Sequence, residues 1–158
     1  MDIGMLPVDR EVFRMGTDEI TVLATSAQSG DALFAVQVRM QPGGGPPVMH
    51  RHAPGEVYHV LEGEFTIYEA EAQAGVVRRT TATAGDVVAL AGGTAHSVRN
   101  ESGADAVAFV VHAPGPPMEG FSRAAAALAA QGSPSMEDVL AIAAEHGIEL
   151  LGPVPGPG

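Results

Sequence analysis

The stretch Gly44-Gly45-Pro46-Pro47-Val48-Met49-His50-Arg51-His52-Ala53-Pro54-Gly55-Glu56 decides how this chain is read. His50 and His52 are two apart, so on a β-strand both side chains leave the same face and converge on one point. Ala53-Pro54-Gly55 is a turn sequence that can bring the Glu56 carboxylate back toward that point. Far downstream, His96 opens another β-rich run. Three imidazoles and one carboxylate, with no thiolate among them, suit a borderline divalent metal: Fe, Mn, Ni, Co or Zn. Four protein ligands leave coordination positions for water, O₂ or a substrate oxygen. A His-x-His pair alone is equally the accident of a polar strand, so the surrounding text has to decide.

That text alternates β-rich runs with Gly, Pro and Asp punctuation from about Ile20 to His112. The runs are Ile20–Thr25, Leu33–Met40, Val48–His52, Val57–Leu61, Glu64–Tyr68, Val76–Ala82, Asp86–Leu90, His96–Arg99 and Ala106–His112, with one further edge strand near Val12–Met15. In Leu33–Met40, Phe34, Val36, Val38 and Met40 share one parity and Gln37 and Arg39 the other, the pattern of a half-buried strand. Short runs at this spacing predict a sandwich or barrel and argue against βαβ units. After His112 the character changes. Ala113–Pro117 reads as a Pro/Gly hinge, followed by an Ala-rich helix over Phe121–Ala130 with Phe121, Ala125 and Leu128 on one stripe. Ser135-Met136-Glu137-Asp138 reads as a cap for a second helix, which Gly147 stops. Pro153–Gly158 is expected to fray. The expected organisation is one all-β unit with an N-terminal arm or edge strand over 1–25, a barrel over 26–115 and a helical appendix and tail over 116–158.

Composition excludes much else. The chain has 158 residues, 46% of them hydrophobic, and 20 Gly and 12 Pro supply its many turns. It carries 8 basic against 19 acidic residues, a formal charge of −11, which leaves no cationic surface for a phosphate backbone and predicts no nucleic-acid partner. No run approaches a membrane span and no basic-then-apolar leader opens the sequence, so a soluble cytoplasmic protein without a membrane partner is expected. There is no Cys, hence no disulfide, thiolate zinc site, iron–sulfur cluster or thiol nucleophile. All eight basic residues are Arg, which removes Schiff-base chemistry and a Gly-Lys-Ser/Thr phosphate loop. No Gly-x-Ser-x-Gly elbow is present.

Reading outward from the histidines, the first segment is Gly44-x5-His50-x-His52-x3-Glu56-x6-Gly63. The second is Gly85-x5-Ala91-x-Gly93-x2-His96-x3-Asn100. These two segments resemble the paired motifs of the cupin family; the departure is Ala91, where the family has Pro. The resemblance covers roughly residues 30–112 and implies an all-β jelly-roll, the double-stranded β-helix of a single-domain cupin. It places His50, His52, Glu56 and His96 at the positions of the family's metal ligands, around one divalent transition metal. Gly63, Gly85 and Gly93 then read as turn glycines and Asn100 as a structural amide. His59, of odd parity to Glu56, is expected to point away from the metal. His112 is expected at the surface or behind the ligands, and Arg78-Arg79 on a solvated edge.

The four-ligand set is similar to that of quercetin-dioxygenase-like cupins, as is the helical appendix. That likeness implies a metal-dependent oxidoreductase, a dioxygenase acting on a small apolar enol or phenol, with Glu56 also taking the substrate proton. Two alternatives stand beside it: a metal-dependent cyclase or isomerase of a biosynthetic pathway, and a non-enzymatic small-molecule-binding cupin. Apolar residues near the ligands should line the substrate cavity, namely Phe34, Val36, Val38, Met40, Met49, Tyr58, Phe65, Phe109 and Val111. Met118 and Phe121 should cover its mouth. Barrels of this family often exchange N-terminal strands, so a homodimer is expected, with residues 1–25 covering a sheet edge.

Overall fold

A computed structural model describes residues 10–71 and 75–155. The part of the expected arm before Arg10 and the last three residues of the expected frayed tail lie outside them. Ten strands follow the predicted runs closely: β1 Val12–Met15, β2 Asp18–Ala24, β3 Phe34–Met40, β4 Val48–Arg51, β5 Gly55–Glu62, β6 Glu64–Ala70, β7 Val77–Thr83, β8 Val87–Leu90, β9 His96–Arg99 and β10 Ala106–Ala113. Helices α1 Pro116–Ala130 and α2 Met136–Glu145 come next, and a further strand, β11 Glu149–Pro153, closes the chain. One antiparallel sheet has the order β1-β2-β3-β10-β5-β8, the other β11-β4-β9-β6-β7. The two sheets face each other as a jelly-roll barrel. Among the described residues no helix is long and apolar enough to cross a membrane.

Strand parity places the core. Phe34, Val36, Val38 and Met40 are all buried along β3, as their shared parity requires, while Gln37 and Arg39 are only partly covered. Val60, Phe65, Ile67, Val98 and Val110 meet them from the other strands, each at most 4% exposed. Polar residues are buried with this core, among them Thr66, Ser97 and Asn100. Asn100 is fully buried; its Nδ2 donates to the carbonyls of Met40 and Ala104, both at 2.8 Å, and its Oδ1 accepts from the Ser102 amide and hydroxyl. The amide thus ties the end of β3 to the turn before β10, the structural role the sequence assigned it. Asn100→Ala leaves buried carbonyls unpaired and is expected to lower the unfolding free energy by about 2–4 kcal/mol in urea denaturation.

The C-terminal third differs from expectation at two points. Helix α1 begins at Pro116, inside the stretch read as a hinge, because a proline in the first helical turn loses no intrahelical bond. Glu119 fixes its direction: Oε1 accepts the Ser26 amide at 2.7 Å and Oε2 accepts Arg123 Nε at 2.9 Å. Arg123 also pairs with Glu11 and lies over the Phe13 ring, so α1 is strapped across β1. Helix α2 starts as read, with the Ser135 hydroxyl accepting the Asp138 amide at 3.1 Å. The second difference is β11. Pro153 ends a strand there, and the Val154 amide donates to the Pro47 carbonyl at 2.9 Å. Its Gly-Pro composition concealed a short edge strand, the one sheet position that tolerates proline.

Candidate metal centre

Two crossings between the sheets, from β4 to β5 and from β8 to β9, deliver the four side chains. His50 on β4 and His96 on β9 are direct cross-strand partners, with ring centroids 4.4 Å apart. His52 lies just past β4, and its ring approaches that of His50 to 5.6 Å, on the side that two-residue spacing predicts. Pro54 and Gly55 then turn the chain so that Glu56, second in β5, comes back beneath the imidazoles. One ligand atom from each of His50, His52, Glu56 and His96 lies within 4.8 Å of every other. His52, Glu56 and His96 are buried, at no more than 4% exposure.

The hydrogen bonds around this cluster suit a cation at its centre. His52 Nδ1 donates to the Pro54 carbonyl at 2.9 Å and His96 Nδ1 to the Thr94 carbonyl at 2.8 Å. With Nδ1–H committed, each neutral ring turns an Nε2 lone pair inward, the orientation that outer hydrogen bonds impose on metal-binding histidines. Glu56 Oε1 lies 2.6 Å from His52 Nε2 and 3.0 Å from His96 Nε2. His96 Nε2 donates to the carboxylate when its ring is protonated; in the neutral rings lone pair faces lone pair. Among the described residues His52 Nε2 makes no hydrogen bond, although the carboxylate is so near. Converging acceptors without protons between them repel one another unless a cation is shared. The donor set, nitrogen and carboxylate oxygen without sulfur, fits a first-row divalent ion.

The electrostatics agree. Burial would raise the Glu56 carboxyl, but His52 and His96 hold it well below the usual 4.5. Burial, and then His96, push His50 down to about 4, so that ring is neutral at pH 7. His112 is likewise lowered, chiefly by burial. His96 moves the other way: burial alone would lower it, and Glu56 raises it. For chelator-treated protein the sign follows. Between pH 6.5 and 4 the unfolded chain takes up a proton at His50 that the folded chain refuses, so stability falls as the solution is acidified. His96 acts above 6.5 and does not cancel this. By pH 4.5 the His50 share of this loss is about 3 kcal/mol, while Asp18, raised by burial to about 6, returns about 2 kcal/mol, so the melting temperature recorded from pH 7 to pH 4.5 should decline by the equivalent of about 1 kcal/mol.

Above the ligands a cavity of about 450 Å³ opens into the barrel. Of the residues expected to line it, Phe34, Val36, Val38, Met40, Tyr58, Met118 and Phe121 border it. Met49 does not: His50 faces inward, so its neighbour leaves β4 on the opposite face. Phe109 and Val111 do not either. Phe109 is paired with Gln37 and His59 and shares their outer face, while Val110 and His112 face inward opposite Val36 and Phe34. Phe65 is buried 6.4 Å from the Tyr58 ring without reaching the cavity. His59 points away, as its parity indicates.

Two contributions were not read from the sequence, and a third, His112, expected at the surface or behind the ligands, stands behind them. His112 is buried against the cavity, stacks on Phe34 at 6.2 Å and holds Nδ1 3.9 Å from Glu56 Oε1, without a hydrogen bond among the described residues. Its place follows from register, since His112 pairs with Glu56 across β10 and β5. Ile148, just before β11, and Leu150 within it form part of the cavity wall. Gly92 is the second. A Cβ there would be driven into the Ala53 carbonyl, next to a loop whose Gly93 amide bonds the His52 carbonyl at 2.8 Å. Gly92→Ala must displace that loop and is expected to weaken metal affinity about 10- to 100-fold in a chelator competition, the usual cost of disturbing a ligand's support.

Comparison with known proteins bears on the fold. Residues 36–112 match the cupin domain family model. A search of curated proteins found none that matches. Among solved structures, the fold is similar to an oxalate decarboxylase from Bacillus subtilis (TM-score 0.58, 18% identity, 68% of this chain and 28% of that one). It is similar too to CENP-C of Drosophila melanogaster bound to CAL1 (TM-score 0.56, 13% identity, 66% and 81%). A third is a cupin-superfamily sugar phosphate isomerase from Silicibacter pomeroyi (TM-score 0.53, 20% identity, 66% and 70%). The chain thus spans about 28% of the decarboxylase it resembles, a protein described with Mn(II) centres. The domain match covers just under half of the chain, and these neighbours share its fold. At such identities the likeness to solved structures is one of fold.

Proposed function

We propose that this protein is a metal-dependent oxidoreductase, a quercetin-dioxygenase-like cupin that acts on a small apolar enol or phenol. The observation that carries the reading is the buried three-histidine, one-glutamate cluster at the end of a largely apolar cavity. A divalent metal held by His50, His52, Glu56 and His96 supplies Lewis acidity toward a substrate oxygen and, where redox-active, a route for electrons to O₂. Glu56, kept ionised by its histidines, receives the proton of the substrate hydroxyl. Tyr58 keeps its own proton, because burial and the adjacent carboxylate raise it well above 10. Phe34, Val36, Val110 and Ile148 accept an apolar body, and Met118 and Phe121 on α1 close it off from water.

The cavity chemistry also argues against a phosphorylated sugar. The chain has no Lys, and no Arg borders the cavity among the described residues, so a phosphate would find no cation there. The test is an oxygen electrode, with Fe-, Mn-, Co- and Ni-loaded protein and a set of flavonols. Oxygen uptake stoichiometric with substrate loss supports the reading. Substrate conversion without uptake would assign a cyclase or isomerase. A homodimer is proposed as the working assembly, and light scattering at micromolar concentration that returns a monomer mass would refute it.

A further inference from the structure

The cavity has a second polar end. Asp18, the first residue of β2, borders it with Met15, Gly16, Thr17 and the glycines Gly43–Gly45. Among the described residues its Oδ1 is buried and meets no hydrogen-bond partner. An unpaired buried carboxylate oxygen is costly, and a ligand hydroxyl is one group that can complete it. The nearby cation is already engaged: Arg99 Nη1 donates to the Gly45 carbonyl at 2.7 Å and Nη2 to that of Gly43 at 3.1 Å. The loop is also built down onto the carboxylate, since a Cβ at Gly44 would stand 2.6 Å from Asp18 Oδ1. Burial outweighs the Gly45 amide and Arg99 and raises the carboxyl to about 6, which leaves it ionised at pH 7.5.

Register places this group away from the metal ligands. Glu19 pairs with Arg39, so Asp18 lies level with Met40; Phe34, six positions back along β3, pairs with His112, the partner of Glu56. At roughly 3.3 Å per residue, six positions bound the separation along the strand to about 20 Å. Between the two ends the wall is mostly apolar, formed by Ile20, Val36, Val38, Val98 and Val110, with the Tyr58 hydroxyl bonded to Glu56 and within the field of Asp18.

We infer that Asp18 is a specificity residue, whose Oδ1 accepts a hydrogen bond from a hydroxyl that the ligand carries at the end opposite its metal-binding oxygens. The ligand class is then an enol or phenol with an apolar middle and a distal hydroxyl. This rests on the proposed enol or phenol chemistry of the site.

The test uses the cobalt-loaded full chain and three probes with one chelating head: 3-hydroxyflavone, 3,4′-dihydroxyflavone and 3-hydroxy-4′-methoxyflavone. Dissociation constants are measured by calorimetry, with metal content checked for each protein. Wild type should prefer the 4′-hydroxyl probe about tenfold, the worth of one hydrogen bond to a charged group. Asp18→Asn, which keeps a neutral acceptor, should reduce the preference to about threefold. Asp18→Ala should abolish it at unchanged cobalt content. A wild type that does not discriminate, or a preference equal in wild type and Asp18→Asn, overturns the inference; the latter comparison suffices should the alanine variant fail to fold. Binding of none of the three would instead defeat the enol or phenol reading, and the inference with it.

Discussion

His96→Ala is expected to purify with less than about a tenth of the wild-type metal and to melt about 10 °C lower. His96 bridges the two halves of the site, facing His50 across β4 and β9 while its Nε2 converges on Glu56. Loss of one of four ligands costs coordination energy, and a metal held at a thousandfold excess over its dissociation constant stabilises the folded state by about 4 kcal/mol. For a domain of this size that amounts to roughly 8–16 °C. Plasma mass spectrometry and calorimetric melting with and without chelator measure both effects. The discriminating feature is their coupling: chelator should lower the wild-type melting temperature and leave that of His96→Ala where it was. A variant that melts lower but still responds to chelator would mean that the imidazole only packs.

Glu56→Gln is expected to carry the second large effect, on turnover. The amide keeps the volume and one oxygen, so metal should still load at raised concentration, whereas the proton acceptor proposed for the substrate hydroxyl is gone. Removal of a positioned general base costs about 10²- to 10⁴-fold in rate. The observable is a fall in kcat under saturating metal, with the metal content of each sample measured. A variant that recovers wild-type kcat once metal is restored would reduce Glu56 to a ligand only.

What the sequence disclosed, and what it withheld, follows the range of the interactions. The spacing of His50, His52 and Glu56 is local, and strand geometry with one turn converts it to convergence; His96 joins through a motif of its own. Parity along β3 is local as well, and it placed Phe34, Val36, Val38 and Met40 together. Phe109 and His112 are different. Which parity of β10 faces inward depends on its register with β3 and β5, set by residues at least 45 positions away, and neither Gln37 nor Glu56 announces its partner. Met49 follows from the same alternation that places His50, and was assigned to the cavity through its proximity in sequence alone. Strand β11 lay beyond reach because its pairing with β4 outweighs the local signal of Gly152-Pro153. Asp18 and Gly92 gave no pattern at all; only close approach of backbone from elsewhere in the chain gives them a role.

The central claim is that one divalent ion is shared by four side chains. Anomalous diffraction from a crystal of cobalt-loaded protein, collected at the metal edge, tests it without reference to substrate. The account predicts a single peak per chain at about 2.1 Å from imidazole nitrogens of His50, His52 and His96 and a carboxylate oxygen of Glu56. Full cobalt loading with the peak elsewhere, or no peak with the three rings packed against one another, would contradict it.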